Sequence, residues 1–176
     1  MTETIVLFAY GAITLEYLKG VAQTLGFDSS IITIEGGRLV GYGRGFTNSQ
    51  QAKLEGKGGK ATLSKGLDCD VLGTLYTIPK AFLSELDKRE GVQFNKYERK
   101  ELFVQTKSGS TVKAISYVMS DYFLGNKSVG EYAPTREYLV EICKNLNQCW
   151  KRRGGATFRP DDINLHRGVN HFYFSN

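Results

Sequence analysis

Hydrophobic and polar positions along the first half of the chain predict a series of strands. Residues 4–10 form a continuous apolar run, which is typical of a strand buried on both faces. Residues 29–47 alternate isoleucine-rich and glycine-rich pieces, which indicates strands with bulges or close backbone contacts. Residues 61–63 and 70–77 predict two further strands, and the polar, glycine-rich residues 50–60 predict a mobile loop.

Amphipathic helices and one hairpin complete the pattern. Helices are predicted over residues 14–26, 79–91 and 134–150, because apolar side chains recur there at helical spacing between capping residues, prolines and glycines. Residues 97–119 predict a hairpin with its turn at Ser108-Gly109. Strands and helices do not alternate regularly, so we expect an α+β fold in which a curved or barrel-like sheet is flanked by helices.

The length of the chain favours a single domain. With 176 residues, of which 41% are hydrophobic, the chain can fill one core and is too short for two comfortable ones. We expect the domain to cover residues 1–150 and a basic, irregular tail to follow over residues 151–176. Aromatic residues suggest that this tail packs back on the domain or on a partner subunit of a homodimer, with a solvated terminus as the alternative; they are Phe158, Phe172, Tyr173 and Phe174.

Charge and cysteine content narrow the cellular context. The net charge is +5, with 23 basic and 18 acidic residues, which is a mild imbalance for a nucleic-acid binder. Three cysteines with no CxxC pair indicate neither a disulfide framework nor a thiolate metal site. The first apolar run is short and has no basic residues before it, so neither a signal peptide nor a membrane span is expected. The prediction is a cytoplasmic protein.

Several common catalytic motifs are missing from the sequence. Residues 56–61 lack the spacing of a P-loop, and residues 41–45 do not open a helix as a dinucleotide fingerprint does. His166 and His171 have neither an HExxH motif nor cysteine partners, which argues against a metal site. No GxSxG elbow is present. We therefore expect no metal and no cofactor, and any catalysis would depend on a carboxylate.

Glu90 is the carboxylate in the most unusual position. It lies four residues after Leu86 and so continues the apolar face of the second helix, whereas Asp87 is expected to point elsewhere. A carboxylate on an apolar face is costly to bury unless it is paired or used. The alternative is a solvated residue at the end of a helix.

The glycine after the first strand marks a second candidate position. The strand-Gly-helix order places the backbone N–H groups of residues 11–14 at a helix start, where an anion or a carbonyl oxygen can bind. Most such junctions bind nothing, so this signal is weak by itself.

These segments together resemble the γ-glutamylcyclotransferase family (the AIG2 and γ-glutamylamine cyclotransferase-like superfamily). The resemblance covers roughly residues 5–149, in the family's order, and it rests on Phe8-Ala9-Tyr10-Gly11, Gly37-Arg38-Leu39, Val71-Leu72-Gly73-Thr74-Leu75-Tyr76, Leu86-Asp87-Lys88-Arg89-Glu90-Gly91-Val92, Tyr97, Ala114-Ile115-Ser116-Tyr117-Val118-Met119 and Pro134-Thr135-Arg136-Glu137-Tyr138. The Tyr-Gly turn and the Leu-Asp-x-x-Glu-Gly segment are fairly specific when they occur together.

The resemblance implies a small mixed β-barrel whose attached helices form a cavity. It implies a lyase that cyclises a γ-glutamyl group to 5-oxoproline and releases an amine or an amino acid, without a metal. By matching position, Glu90 would be the general acid/base. The implied substrate-binding residues are Tyr10, Gly11, Ala12, Ile13, Tyr97 and Tyr138. A small γ-glutamyl compound is the implied partner, with neither nucleic acid nor membrane involved.

The chain departs from the family pattern after Tyr-Gly. Ala12-Ile13-Thr14 stands where the family usually has a small polar residue and often an asparagine, so the resemblance implies an altered substrate, such as a γ-glutamylated metabolite or amine. One alternative is a non-catalytic small-molecule or protein-binding module on the same fold. Another is a nucleic-acid surface formed by basic residues with nearby aromatics, namely Arg38, Arg44, Lys151, Arg152 and Arg153.

Overall fold

A computed structural model describes residues 2–152 and 154–163 of the chain. Six strands form the sheet: β1 (Thr4–Ala9), β2 (Thr33–Ser49), β3 (Lys60–Pro79), β4 (Tyr97–Thr106), β5 (Thr111–Met119) and β6 (Val129–Glu131). Five helices accompany them: α1 (Leu15–Thr24), α2 (Gln50–Leu54), α3 (Leu83–Glu90), α4 (Asp121–Leu124) and α5 (Arg136–Cys149). Single 3₁₀ turns lie at Ser29–Ile31, Lys80–Phe82, Val92–Phe94 and Pro160–Asp162.

Five of the strands close into a barrel. The order β3-β1-β5-β4-β2 returns to β3, because β2 and β3 pair with each other along most of their length. The β1–β5 pairing is parallel and the others are antiparallel, so the barrel is mixed. β6 extends β2 outside the closed part. The predicted α+β fold with a small mixed barrel and flanking helices is therefore confirmed.

The β2–β3 pair differs from the expected separate short strands. β3 is one strand of 20 residues, and the register shifts on β2 between Val40 and Tyr42. Gly41 lies in this bulge with a φ of 76°, which a glycine adopts without the strain that a side chain would cause. The bulge explains why the sequence pattern breaks although the pairing continues.

The start of the second helix was also predicted wrongly. Pro79 is the last residue of β3, opposite Thr4, and a 3₁₀ turn separates it from α3, which begins at Leu83. The backbone N–H of Lys80 donates to the carbonyl of Glu3 at 2.9 Å, so the chain still follows β1 at this point. Proline suits the end of a strand here because no ladder donor is required of it.

Two groups of buried side chains surround β1, as its apolar sequence predicted. Phe8 packs with side chains from the other barrel strands and from α5, whereas Leu7 and Ala9 pack towards α1 and α3. All three side chains are buried. The residues that follow β1 therefore leave the barrel between α5 on one side and α1 and α3 on the other.

Part of the predicted tail packs on the barrel. Phe158 is buried in the same group of side chains as Phe8, and its backbone N–H and C=O bind the side chain of Asn147 on α5 at 2.6 and 3.0 Å. The boundary at residue 150 stays a prediction. Phe172, Tyr173 and Phe174, like His166 and His171, lie outside the described residues. Within the described part of the chain, no helix is long and apolar enough to cross a bilayer.

Candidate active site

One cavity, of about 250 Å³, brings together every residue predicted for the site. The glycine turn (residues 10–13) follows β1, Glu90 ends α3, Tyr97 begins β4 and Tyr138 lies in the first half of α5. Lys60, Arg89 and Lys96 also line the cavity, and the sequence analysis did not select them. Four elements that are distant in sequence thus meet around one space.

The glycine turn is held in place by side chains that bind its carbonyl groups. Arg44 donates to the carbonyl of Tyr10 at 2.9 Å, and Arg89 donates to the carbonyl of Ala12 at 2.9 Å. The side-chain amide of Asn145 on α5 donates to the carbonyls of Gly11 and Ile13, at 2.9 and 2.6 Å. All four carbonyls of the turn therefore have a donor.

The backbone N–H groups of the same turn differ from its carbonyls in their hydrogen bonding. Among the described residues, no acceptor pairs with the backbone N–H of Gly11, Ala12 or Ile13. The next residue, Thr14, caps α1 by accepting from the N–H of Tyr17, as predicted. Unpaired N–H groups ahead of a helix attract an anion or a polarised carbonyl oxygen. This turn can therefore bind a negatively charged group in the cavity.

Asn145 and Arg44 are deeply buried for polar residues. Asn145 is 1% exposed, and its amide oxygen accepts from the hydroxyl of Tyr76 at 3.1 Å. Arg44 is 5% exposed and also donates to the carbonyl of Leu72 at 2.7 Å. Burial lowers the pKa of Arg44 to about 10, which still leaves the guanidinium charged at neutral pH.

Sequence reasoning missed both residues, although each gives a signal. Asn145 lies three residues after Ile142 and seven after Tyr138, so it is a polar residue on the buried face of an amphipathic helix. Arg44 lies inside a strand. It was assigned to a nucleic-acid surface, and its burial excludes it from any such surface. Two other members of that set, Arg38 and Arg152, pair with Asp70 and Asp162.

Glu90 lies in the cavity at the end of α3. Its side chain is 16% exposed, and burial raises its pKa, although the positive charges of Arg89, Lys96 and Lys60 oppose the shift. Gly91 ends the helix with a φ of 70°, a conformation that glycine adopts readily. The carboxylate thus favours the neutral acid more than a solvated glutamate does.

Two neighbours of Glu90 on α3 fix the helix against the rest of the site. Asp87 binds the guanidinium of Arg99 and accepts from the hydroxyl of Tyr117 at 2.8 Å, so it faces the barrel outside the cavity. Hydrogen bonds from Arg99 lower the pKa of Asp87. Arg89 lies 3.5 Å from the Glu90 carboxylate and stacks on the ring of Tyr17, 3.8 Å from its centroid.

Two of the cavity tyrosines bind the same residue of β3. Tyr97 donates its hydroxyl proton to the carbonyl of Ala61 at 2.9 Å, and Tyr138 accepts from the N–H of Ala61 at 3.0 Å. The hydroxyl proton of Tyr138 therefore has no acceptor among the described residues. Burial raises the pKa of both phenols, so both remain protonated at neutral pH.

Gly11 lies close to the hydroxyl of Tyr138. A Cβ atom at Gly11 would lie 3.2 Å from the Tyr138 hydroxyl and 3.5 Å from the Cβ of Ala61. A larger residue at this position would push the phenol away from the turn. The glycine therefore sets the distance between the turn and α5.

The acidic, histidine and cysteine side chains of the described ranges are spread over the fold. No group of three or more His, Cys, Asp or Glu side chains comes together there in a way that could hold a metal ion. The chemistry available in the cavity is thus a carboxylate, three cations, phenols and backbone N–H groups.

Comparison with known proteins agrees with this architecture. The model of the AIG2-like family matches residues 70–149. Over 112 residues, the chain is 32% identical to a γ-glutamylcyclotransferase from Bos taurus and 33% identical to one from Homo sapiens. Each match covers 63% of this chain and 56% of the relative, so the chain matches little more than half the length of these proteins.

Solved structures with a similar fold include a γ-glutamyl cyclotransferase and an uncharacterised human protein. The first has a TM-score of 0.65 at 23% identity and covers 83% of this chain and 80% of that chain. The second has a TM-score of 0.68 at 22% identity and covers 99% and 93%. The predicted resemblance to the γ-glutamylcyclotransferase family is thereby confirmed in sequence and in fold.

Proposed function

We propose that this chain, with its γ-glutamylcyclotransferase-like fold, is an enzyme that cyclises a γ-glutamyl group to 5-oxoproline and releases an amine or an amino acid. One observation carries the proposal: a carboxylate that is only 16% exposed and has a raised pKa shares a cavity with a turn whose carbonyls are all bound and whose N–H groups at residues 11–13 have no acceptor among the described residues. The names of the relatives support the reaction class.

The substrate supplies its own nucleophile in this reaction. The α-amine attacks the γ-carbonyl carbon and a C–N bond forms, which closes a five-membered ring. The bond from that carbon to the departing nitrogen then breaks, and no water is consumed. Because both reacting groups belong to one molecule, holding the glutamyl chain in a curled conformation supplies much of the rate gain, worth about 7–11 kcal/mol in favourable systems.

Glu90 acts as the general acid/base in this proposal. Its carboxylate takes a proton from the α-ammonium group and returns a proton to the departing nitrogen. Burial raises the pKa of Glu90 and so makes the carboxylate a stronger base than a solvated glutamate. Arg89, 3.5 Å away, opposes this shift and favours the ionised carboxylate that accepts the proton.

The glycine turn and Tyr138 stabilise negative charge on the substrate. The unpaired N–H groups of residues 11–13 bind the α-carboxylate, and the free hydroxyl proton of Tyr138 is directed to the oxyanion that develops on the γ-carbonyl. Tyr97, whose proton is bound by Ala61, shapes the wall without donating to the substrate. Ala12 and Ile13 contribute backbone donors and an apolar surface.

The experiment is to incubate the protein with a panel of γ-glutamyl amino acids and amines and to measure 5-oxoproline. We expect Glu90→Gln to lower kcat/KM by about 10²–10⁴-fold, the usual contribution of general acid-base catalysis. Glu85→Gln is the matched control, because Glu85 lies on the same helix and pairs with Lys88.

Turnover by Glu90→Gln at the rate of the unmodified protein would contradict the assigned mechanism. If no substrate of the panel yields 5-oxoproline, the reaction class is wrong for these compounds and a non-catalytic binding module becomes the better description. Circular dichroism of both variants shows whether the fold is retained.

A further inference from the structure

Lys60 and Lys96 are two basic residues that line the cavity. Lys60 begins β3, Lys96 directly precedes β4, and both side chains are half-buried. Six other lysines have a carboxylate within 4.0 Å, whereas neither member of this pair has one among the described residues. The fold therefore holds the pair at the cavity near Glu90, with no ion pair within 4.0 Å among the described residues.

Aromatic rings provide the neighbouring surfaces of these two lysines. The ammonium of Lys60 lies 4.2 Å from the centroid of the Tyr138 ring, and that of Lys96 lies 5.8 Å from the centroid of the Phe123 ring. A cation over an aromatic face gains only modest stabilisation when it is partly solvated. The rings orient the ammonium groups and leave N–H donors available for an anion.

The charges around the cavity do not balance. Three cations face one carboxylate, Glu90, and this leaves an excess of two positive charges when all four groups are ionised. Arg89 is already engaged with the Ala12 carbonyl and with Glu90. The lysine pair is thus the uncommitted part of the excess. Burial lowers the pKa of both lysines, and each also lies near other cations.

We propose that Lys60 and Lys96 form an anion subsite for the departing half of the substrate, which selects a leaving group that carries carboxylates, most strongly a dicarboxylic amino acid such as glutamate or aspartate. This inference rests on the proposed function, because it defines the leaving group of that reaction. It identifies a substrate class and two specificity-determining residues.

The γ-glutamyl half does not need these lysines. It brings one ammonium group and one carboxylate, which suit Glu90 and the unpaired N–H groups of the glycine turn. A leaving group without charge leaves both lysines half-buried and unpaired. A leaving glutamate gives the whole substrate a net charge of −2, which matches the excess in the cavity.

The test compares three substrates that differ mainly in the charge of the leaving group. They are γ-glutamylglutamate, γ-glutamylglutamine, which has nearly the same shape and one charge fewer, and γ-glutamylbutylamine, whose leaving group has no carboxylate. We expect kcat/KM to fall in that order. Lost contacts to a charged group typically weaken binding by about tenfold or more, so the Lys60→Gln, Lys96→Gln double variant should lose at least that factor on γ-glutamylglutamate.

Above the acid limb of turnover, where Glu90 is ionised in both proteins, the same double variant should turn over γ-glutamylbutylamine as the unmodified protein does. The matched control is the Lys88→Gln, Lys144→Gln double variant, since these exposed lysines pair with Glu85 and Glu141 outside the cavity and their loss also removes two positive charges. Equal losses on all three substrates would assign the pair to the glutamyl carboxylate and overturn the proposal. Equal turnover of all three by the unmodified protein would also overturn it.

A binding measurement separates this proposal from the proposed reaction. If no compound yields 5-oxoproline, the reaction is wrong, but calorimetry with the same three compounds still tests the subsite. Affinity in the order glutamate, glutamine, butylamine, lost in the double variant, would support the anion subsite. Equal affinities, or an order that the double variant leaves unchanged, would contradict it.

Discussion

Two parts of one cavity wall differ in how completely their polar groups are satisfied. At the glycine turn, four carbonyls are bound by the side chains of buried Arg44 and Asn145 and of exposed Arg89, and the geometry is fixed before any ligand arrives. At the lysine pair, Lys60 and Lys96 have aromatic neighbours and no acidic partner within 4.0 Å among the residues described. We therefore expect the glycine turn to position the glutamyl group of the substrate and the lysine pair to select its leaving group.

This difference separates the two roles that a binding site must fill. A catalytic turn must hold its donors in one orientation, because small displacements of reacting groups are costly. A specificity subsite needs an unsatisfied charge, because a pair already formed inside the protein would have little affinity left for a ligand. Substitutions that release the glycine turn should therefore lower stability and turnover, whereas substitutions of the lysine pair should change selectivity with little effect on stability.

The largest effect on stability is expected from Asn145→Leu, which removes the amide that holds Gly11 and Ile13. The variant leaves two turn carbonyls without their donor, so we expect a loss of about 1–3 kcal/mol in the free energy of unfolding. Displacement of the turn should lower kcat by about ten- to a hundredfold. Thermal unfolding and 5-oxoproline release measure the two effects.

Asn147→Leu is the matched control for this prediction. Asn147 lies on the same helix, and its amide binds the backbone of Phe158 away from the cavity. We expect a comparable loss of stability with kcat unchanged for the remaining folded protein. If both variants lose kcat equally, the turn is not held in its active geometry by Asn145.

The next effect concerns the pH dependence of turnover. Glu90 must be ionised to accept a proton, and burial raises its pKa, so the acid limb of kcat/KM should lie above the ordinary range for glutamate. The Lys60→Gln, Lys96→Gln double variant removes two of the charges that favour the ionised form and should move this limb to higher pH. An unchanged limb in the double variant would show that Glu90 does not control it.

A smaller effect is expected in the stability of Glu90→Gln. The pKa of Glu90 is higher in the folded state than in the unfolded state, so the protonated form stabilises the fold. This contribution is complete below the unfolded-state pKa and is lost as pH rises through the folded-state pKa. The glutamine variant should therefore melt slightly higher than the unmodified protein at pH 8. The difference should shrink towards pH 4, and a constant difference would argue against this linkage.

The smallest effect is expected on the stability of the protein when either lysine of the pair is replaced. Because neither lysine has an acidic partner among the described residues, we expect Lys60→Gln and Lys96→Gln to change the free energy of unfolding by no more than about 0.5 kcal/mol. A loss as large as that of Asn145→Leu would show that the pair is structural. Urea titration of each variant gives the values.

The sequence predicted the parts of the site that depend on local order. The turn after β1 follows from an apolar strand, a glycine and a capping threonine, and these signals all lie within eleven residues. Glu90 was found because it continues the spacing of Leu86. Burial and the shared cavity could not be predicted from spacing alone, because they depend on which elements the barrel brings together.

The residues that were missed act over long sequence separations. Asn145 binds a turn 134 residues away, and Arg44 binds one 34 residues away. Lys60 and Lys96 belong to a sequence with many exposed lysines, so only their position in the cavity distinguishes them.

The predicted loop at residues 50–60 was also misjudged, because its structure depends on contacts with residues that are distant in sequence. It contains α2, and Gly58 packs so closely on the backbone of residues 133–135 that a Cβ would lie 2.6 Å from the Thr135 nitrogen.

Helix α5 contributes two of the contacts described above from positions seven residues apart. Tyr138 reaches the start of β3 and Asn145 reaches the glycine turn, so both must face the barrel at once. Deleting one residue between them would rotate the second contact by about 100° around the helix axis. The seven-residue spacing therefore keeps both side chains on the same face of α5. Insertions or deletions in this helix should be tolerated far better after Asn145 than between Tyr138 and Asn145.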